Sequence, residues 1–269
     1  MKIKYLVALI ALIAIGSCSK QHSDPTPPPA MMSSLKLKDM NGTSLPSPFY
    51  HFEYNTNGDI ILVDYSSGLR IYNVSYTGKN ISSMETATGP QLEYVYNNDK
   101  LIAVKVKDQN GVVIRHCILS YNSSDQLVQV DWDIADGNVG FYLEQTIKFS
   151  YYPNGNVMEM ITHDYPVGSQ TETTYADKFE NYDSHPNADG FALWHTNPHE
   201  LVLIPQTKIQ LNNPQRNIHT GDGINYDVQY SYTYDAKGRP IIKTGDLEIT
   251  NGTNAGQHVQ IQYTFSYYD

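Results

Sequence analysis

The stretch Phe52-Glu53-Tyr54-Asn55-Thr56-Asn57-Gly58-Asp59-Ile60 recurs near the C-terminus as Tyr232-Thr233-Tyr234-Asp235-Ala236-Lys237-Gly238-Arg239-Pro240. The shared unit is aromatic-x-Tyr-Asn/Asp-x-x-Gly-x-apolar; looser copies lie at 94–101, 119–127 and 149–157. Alternating aromatic residues favour a strand, and Asn, Asp and Gly tolerate the positive φ angles of a tight turn. Each copy therefore predicts a β-hairpin whose return strand is the apolar run that follows it.

The return strands have one apolar and one polar face. In 128–133, for example, Val128, Val130 and Trp132 alternate with polar residues. Such strands bury one face and expose the other to water, which the wall of a lipid-embedded barrel would not do. Marker tyrosines recur every 20 to 30 residues, which fits two strands and two turns per interval. The sequence predicts an all-β fold: a large antiparallel up-and-down β-meander of about a dozen strands, strongly curved or partly closed into a barrel.

The repeat is interrupted between about residues 165 and 225. Asn197-Pro198-His199-Glu200 combines an N-cap, a proline at the first helical position and a capping-box glutamate. The apolar run 201–204 follows and ends at Pro205. We therefore expect a loop and short-helix insertion here, with the helix covering the sheet or an open end of it.

The N-terminus has the three parts of a secretory signal. Lys2 and Lys4 precede the apolar run 6–15, which is too short to span a bilayer. The sequence Ile15-Gly16-Ser17-Cys18 resembles the lipobox of bacterial lipoproteins, which implies cleavage before Cys18 and lipid attachment to it, with the membrane as a partner through that anchor. The expected organisation is a signal peptide at 1–17, the lipidated cysteine with a proline-rich tether at 18–34, and one β domain at 35–269. Since no aspartate follows Cys18, the lipobox likeness implies an outer-membrane lipoprotein, facing either the periplasm or the cell surface.

The order of motifs over residues 48–269 also resembles a family. Repeated Tyr-Asp/Asn-x-x-Gly hairpins, an insertion with Tyr182-Asp183 and Asn212-Asn213-Pro214, and a final hairpin copy are similar to the YD-repeat lipoproteins of unknown function from Bacteroidetes-type bacteria. A more distant likeness connects the repeats to the YD repeats of Rhs-type shell proteins. The resemblance implies an antiparallel β architecture and an envelope address, and it assigns no activity and no functional residues.

Composition excludes several functional classes. The formal charge is −10 and the few Lys and Arg residues are dispersed, which argues against a nucleic-acid partner. The two cysteines cannot form a cysteine-rich metal site, and Cys117 lies in an apolar context typical of a core thiol. Nucleophile elbows, phosphate loops, dinucleotide fingerprints and His-Glu-x-x-His helices are missing from the sequence, so we expect no cofactor and no enzyme activity.

A few residues remain as candidates for binding. Tyr182, Phe191 and Trp194 lie outside the hairpin repeat, so we select them as the candidate ligand groove. Asp131, Asp133 and Asp136 form a weak calcium candidate, against the simpler interpretation of a strand running into a polar turn. His195 and His199 have a spacing of four, but the expected N-cap at Asn197 separates them, so no metal site is assigned there.

Three functional hypotheses follow. The first is a non-catalytic, lipid-anchored cell-envelope protein whose β-sheet presents a binding or scaffolding surface to an unidentified glycan or protein. The second is a glycan-binding accessory lipoprotein of polysaccharide capture, which predicts an exposed aromatic platform. The third is a hydrolase whose site is assembled from residues distant in sequence, which would require a pocket with convergent carboxylates or a His beside a nucleophile.

Overall fold

The protein is built almost entirely of β-strands. The structure is a computed structural model that describes residues 35–137, 140–165, 171–188, 192–195, 200–204, 207 and 209–269. No helix among these residues is both long and apolar enough to cross a membrane. The strands are β1 (Leu37–Gly42), β2 (Tyr50–Tyr54), β3 (Ile60–Tyr65), β4 (Arg70–Thr77), β5 (Asn80–Glu85), β6 (Gln91–Asn97), β7 (Lys100–Lys107), β8 (Val113–Tyr121), β9 (Leu127–Ala135), β10 (Phe141–Tyr151), β11 (Val157–Asp164), β12 (Thr173–Pro186), β13 (Ala192–His195), β14 (Glu200–Leu203), β15 (Asn212–Gly221), β16 (Tyr226–Tyr234), β17 (Pro240–Ile249) and β18 (His258–Tyr267).

Sixteen of the described strands form one closed antiparallel barrel. Each strand pairs with its neighbours in sequence, β12 pairs with β15, and β18 closes the ring on β1. The all-β antiparallel prediction is confirmed, whereas the expected dozen strands and partial closure are wrong. β12 and β15 lack an apolar alternation because many of their inward side chains are polar, so the sequence pattern does not reveal them as strands.

The repeated turns lie together at one end of the barrel, which we call the turn end. At three of them, an Asn or Asp side chain accepts the backbone N–H groups two and four residues later: Asn122 Oδ1 accepts from Ser124 at 2.9 Å and from Gln126 at 3.0 Å. Asn55 and Asp235 repeat this pattern. Gly58 has φ +90, a left-handed conformation that favours glycine. The turn chemistry therefore fixes the hairpin register, as the sequence predicts.

The second tyrosine of the unit links neighbouring hairpins. The Tyr151 hydroxyl donates to the carbonyl oxygen of Leu127 at 2.7 Å, where β9 begins. The same bond joins Tyr54 to Leu37 and Tyr267 to Pro240. Each of these hydroxyls satisfies a main-chain acceptor at the start of another strand, which a phenylalanine could not do. The repeat is thus a structural device that ties adjacent hairpins together at the turn end.

The outer wall of the barrel is polar. Leu92 and Tyr94 point inward and are buried, and Glu93 between them points outward to Lys105 at 3.2 Å and to Lys107. On the other side, Arg216 contacts Glu180 at 3.1 Å and Asp227 at 2.5 Å across three strands.

Exposed apolar side chains such as Ile71 and Ile161 interrupt this outer face, and the residues opposite them on neighbouring strands, Asp64 and Lys148, are charged. A barrel embedded in lipid presents a continuous outward apolar band at mid-strand. The described strands therefore expose a wall suited to water.

The inward face differs between two parts of the barrel. On β2–β9, which we call the apolar wall, inward side chains such as Phe52, Tyr72, Met84 and Trp132 are fully buried. On β10–β12, β15 and β16, which we call the mixed wall, the inward residues include polar, aromatic and aliphatic side chains such as Asp177, Tyr226 and Met160.

A hairpin from the insertion occupies the apolar part of the interior. β13 and β14 pair with each other and not with the barrel, and Leu201, Leu203 and Ile204 are almost completely buried. We call β13, β14 and Ile204 the plug. The expected short helix at 197–204 is wrong for its described part, because Glu200–Leu203 is a strand. Residues buried on both faces of a strand give a continuous apolar run, which short helices also show.

Candidate functional site

The mixed wall encloses a cavity of about 490 Å³. It reaches the end of the barrel opposite the turns, which we call the mouth, at Thr173, Asp222 and Gly223. β10, β11, β12, β15 and β16 position its lining because their registers place alternate residues on the inner face. The lining residues are Gln145, Ile147, Met160, Thr162, Thr173, Tyr175, Asp177, His219, Asp222, Gly223 and Tyr226.

A histidine and a carboxylate form the polar centre of this cavity. Asp177 and His219 lie directly opposite each other on β12 and β15. His219 Nδ1 and Asp177 Oδ1 are 2.9 Å apart, and the Asn217 amide contacts the same oxygen at 3.4 Å. The second carboxylate oxygen of Asp177 accepts no hydrogen bond from a described residue. This arrangement fixes the imidazole ring and leaves an acceptor available to a ligand.

Two tyrosine rings enclose His219. Tyr226 stacks on it with ring centroids 4.6 Å apart and planes 7° from parallel, and Tyr175 lies at 5.1 Å. Burial, followed by the negative charge of Asp177, raises the pKa of Tyr226 well above its ordinary value. Burial and Asp164 raise the pKa of Tyr175, although its hydrogen bond with Thr162 opposes the shift. Both phenols are therefore neutral hydrogen-bonding groups at physiological pH.

Gln145 contributes an unsatisfied acceptor. Its side-chain N–H donates to Asp164 Oδ1 at 2.7 Å, which fixes the amide orientation because the carboxylate can only accept. The opposite atom, Oε1, is buried and has no hydrogen-bond partner among the described residues. Gln145 is only 4% exposed. A buried acceptor without a donor is costly and marks a place where a ligand or water can bind.

A smaller cavity of about 240 Å³ lies at the turn end, where the chain leaves the plug. Ile204 and Thr207 form one side, and Tyr96 and Tyr121 form another. Its cation, Lys100, is paired with Asp125 and lies over the Tyr121 ring at 5.3 Å. These groups satisfy one another, so this cavity offers fewer free groups to a ligand than the larger one.

The structure distributes the aromatic residues selected from the sequence. Tyr182 lies on β12, and its hydroxyl donates to the Val157 carbonyl at 2.7 Å, so it forms the same tie as the repeat tyrosines. It does not line the larger cavity. Trp194 lies in β13, where its backbone pairs with Leu201. Phe191 and the lipidation candidate Cys18 lie outside the described residues.

The three aspartates considered for calcium lie on or just after β9. The carboxylate of Asp131 accepts hydrogen bonds from Thr146 at 2.7 Å and from Gln129 at 2.7 Å. Burial raises the pKa of Asp133, and Asp136 accepts the Gly140 N–H at 3.2 Å in the turn. Within the described ranges, no group of three or more His, Cys, Asp or Glu side chains is arranged to hold a metal ion.

Cys117 is completely buried on the apolar wall. Burial, with a smaller contribution from Asp131, raises the pKa of its thiol far above the ordinary value. A thiol that stays protonated and inaccessible is not a nucleophile. For the histidines, β13 ends at His195, and His199 lies outside the described residues.

Sequence reasoning missed Gln145, Asp177, His219 and Tyr226 as site residues. A signal was present in β12, where Tyr175, Asp177 and Phe179 alternate with outward residues at a period of two. Because one member of that alternation is an aspartate, the pattern does not resemble a buried strand face.

Comparisons with known proteins support the fold. No protein-family profile matches the chain, and no curated protein matches it. A porin-like protein from Bacteroides uniformis matches with a TM-score of 0.56 and 14% identity, over 91% of this chain and 100% of that chain. A porin-like protein from Bacteroides vulgatus matches with a TM-score of 0.54 and 14% identity, over 81% and 92%. This chain therefore shares its β-barrel fold with them.

The TcdB2–TccC3–Cdc42 complex matches 78% of this chain and 14% of that chain with 11% identity, at a TM-score of only 0.30. That score is too low to indicate a common fold. The likeness to Rhs/YD repeats and membership of the YD-repeat lipoproteins therefore stay predictions.

Proposed function

We propose that this protein is a non-catalytic, lipid-anchored component of the cell envelope whose closed barrel serves as a binding or scaffolding body and not as a channel.

The observation that carries this proposal is the plug. Leu201, Leu203 and Ile204 are buried inside the barrel, where a channel would be open and polar. The Leu203 backbone N–H donates to the Tyr94 hydroxyl at 3.0 Å, which ties the plug to β6 of the apolar wall. Removing the hairpin would expose several apolar side chains and leave that N–H without a partner, which opposes its movement.

The polar outer wall supports attachment by a lipid and not by insertion of the barrel. Ion pairs such as Lys105–Glu93 lie on the outward face of β6 and β7, where lipid contact would require apolar groups. Several acyl chains on Cys18 would be sufficient for stable anchoring. The chain enters β1 at the turn end, where the Lys36 carbonyl accepts the Tyr268 N–H at 3.0 Å. The anchor and the mouth would then lie at opposite ends of the barrel.

The comparisons support an envelope setting. The two Bacteroides proteins with the same barrel fold are described as porin-like. The likeness is one of fold alone, and the filled interior of this chain favours binding over conduction.

Fractionation of cells that express the full chain tests the anchor. We expect the wild-type protein in the membrane fraction, and Cys18→Ser in the soluble fraction because it cannot be acylated. Cys117→Ser is the matched control, since it removes the other cysteine and should leave the protein in the membrane fraction. Membrane retention of Cys18→Ser would contradict lipid anchoring.

Planar-bilayer recording tests the second part of the proposal. The purified full chain in detergent should give no single-channel steps when it is added to a bilayer, because the plug fills the apolar part of the lumen and the wall is polar. Reproducible conductance steps would contradict the binding role.

A glycan-binding accessory role is the second candidate, and the cavity favours it. Tyr175 and Tyr226 place aromatic rings beside the carboxylate of Asp177 and the amide of Gln145, a combination that suits sugar rings and hydroxyl groups. A glycan array with the full chain tests this role, and a flat result would argue against it.

A further inference from the structure

We infer that the cavity of the mixed wall binds a small ligand that carries an ammonium group, with Asp177, Asp222 and Gln145 as its acceptors. This inference names the ligand class of the proposed binding role and rests on that proposal. It is argued from the groups that line the cavity and from the charges around them.

The cavity offers three hydrogen-bond acceptors to a ligand. Asp177 has one carboxylate oxygen without a hydrogen bond from a described residue. Asp222 uses Oδ2 to accept the Thr174 N–H at 2.8 Å, and its other oxygen accepts none from the residues that the structure describes. Gln145 Oε1 is buried and unpartnered within the same part of the chain. These three acceptors can receive N–H or O–H groups from a ligand, and the buried one, Gln145 Oε1, has the most to gain from such a donor.

The charged groups that line the cavity are mainly acidic. The described lining contains two carboxylates, of which Asp177 is paired with His219 and Asp222 has no cationic partner, and it contains neither lysine nor arginine. The inward cation Lys243 on β17 is not one of the lining residues. Its ammonium group lies over the rings of Tyr230 at 4.2 Å and Tyr263 at 5.4 Å. A partly enclosed site with unbalanced negative charge attracts a cation and rejects an anion.

Two tyrosine rings line the cavity beside these acidic groups. Tyr175 and Tyr226 are held beside the acidic groups by their contacts with His219. Tyrosine rings stabilise an ammonium group electrostatically and also pack against an apolar carbon frame. Acceptors, charge and rings together match an amine on a compact carbon skeleton, such as an amino sugar, more closely than a neutral or acidic molecule.

Calorimetric titration of the full chain in detergent with four probes tests the inference. Glucosamine, glucose and glucuronate place an amine, a hydroxyl or a carboxylate on one sugar frame, and cadaverine is an amine without a ring. We expect saturable binding of glucosamine or cadaverine that is at least about tenfold tighter than that of glucose, and no binding of glucuronate. Which amine binds shows whether the sugar ring is needed.

Two variants connect binding to the cavity. Asp177→Asn keeps the shape and removes the charge, and should weaken amine binding by about tenfold. Asp246→Asn removes the same charge from the outer wall, where Asp246 contacts Gln260 and His258, and should leave the affinity unchanged. Thermal unfolding of both variants checks that the barrel is intact. Asp222→Asn, at the exposed mouth, provides a second test if Asp177→Asn does not fold.

Binding of glucose as tight as that of the better-bound amine, no heat from either amine, or wild-type affinity in Asp177→Asn and Asp222→Asn would each overturn the inference. None of these results would change the fractionation of Cys18→Ser or the bilayer recording. Failure of the ligand class and failure of the proposed envelope role can therefore be distinguished.

Discussion

The apolar wall and the mixed wall both contain the hairpin unit, although β12 and β15 of the mixed wall lie outside the repeat, and the two walls differ in their inward residues. Both walls carry the tyrosine ties, as Tyr54 on β2 and Tyr151 on β10 illustrate. On the apolar wall the inward positions are filled by residues such as Phe52 and Trp132, and the plug packs there. On the mixed wall the inward positions include Asp177 and His219, and a cavity remains. The comparison shows that the repeat determines the barrel, whereas the inward residues between the ties determine what each wall can do.

The largest expected effect is a loss of stability at alkaline pH, caused by the buried tyrosines that occur on both walls. Burial, with a smaller contribution from Asp59, raises the pKa of Tyr76 from 10.0 to about 12, and burial raises the pKa values of Tyr54 and Tyr226 even further. A raised folded-state pKa contributes stability below the unfolded value of about 10, and that stability is lost as the pH rises toward the folded value. We expect alkaline unfolding above about pH 10, measured by circular dichroism and phenolate absorbance.

Because the walls are parts of one closed ring, the two signals should change in a single transition. Two separate transitions would show that the walls unfold independently, and the comparison would then describe two folding units and not one barrel.

The next largest effect comes from the core of the apolar wall. Trp132→Ala should lower the free energy of unfolding by ~3–5 kcal/mol, measured by urea denaturation, because Trp132 is fully buried. Met160→Ala is the matched change on the mixed wall. Met160 is half-buried beside a cavity, so its truncation should cost only about 1 kcal/mol. Similar losses in the two variants would contradict the difference in packing.

A smaller effect is expected where the plug meets the apolar wall. Tyr94→Phe removes the acceptor of the Leu203 N–H, and should destabilise the protein by ~1–3 kcal/mol because a buried donor loses its partner. Hydrogen exchange at Leu203 should become faster. Tyr142→Phe, on an exposed ring at the mouth, should change neither quantity. Unchanged exchange in Tyr94→Phe would mean that the apolar contacts alone hold the plug.

The smallest effect concerns the turns that the walls have in common. Asn122→Ala removes the side-chain oxygen that accepts from Ser124 and Gln126, and should reduce stability by about 1 kcal/mol, seen as a lower Tm. Ser123→Ala in the same exposed turn should leave the Tm unchanged. Equal Tm values for the two variants would show that the backbone bonds of the turn are sufficient without the asparagine.

Sequence patterns predict the apolar wall well and the mixed wall poorly. The turn residues and the alternation in β9 identify hairpins directly, since apolar residues at a period of two are typical of a strand with one buried face. β12 and β15 are harder to recognise because Asp177, Asn217 and His219 occupy inward positions. The plug resembles a helix in sequence because 201–204 is apolar at every position, which fits either structure when the segment is short.

For a related reason, the candidate site cannot be predicted from the sequence. Its members come from five neighbouring strands and one loop between Gln145 and Tyr226, and only the pairing of these strands brings them together. Tyr182 lies off the repeat in sequence, whereas its bond to Val157 places it in the same series of ties. The Tyr182 hydroxyl donates to a carbonyl group that lies 25 residues away in sequence. No local sequence pattern specifies such a partner.

The seam of the barrel has a consequence for biogenesis. Leu37 on the first strand pairs with Tyr267 on the last, and Ser266 donates to Asp39 at 2.8 Å across the same junction. Ring closure must therefore await the arrival of the final strand, so until then the growing sheet has two unpaired edges that could recruit other chains. Truncation of a few C-terminal residues should consequently be more damaging than an equally long deletion in a loop, since it opens the ring itself.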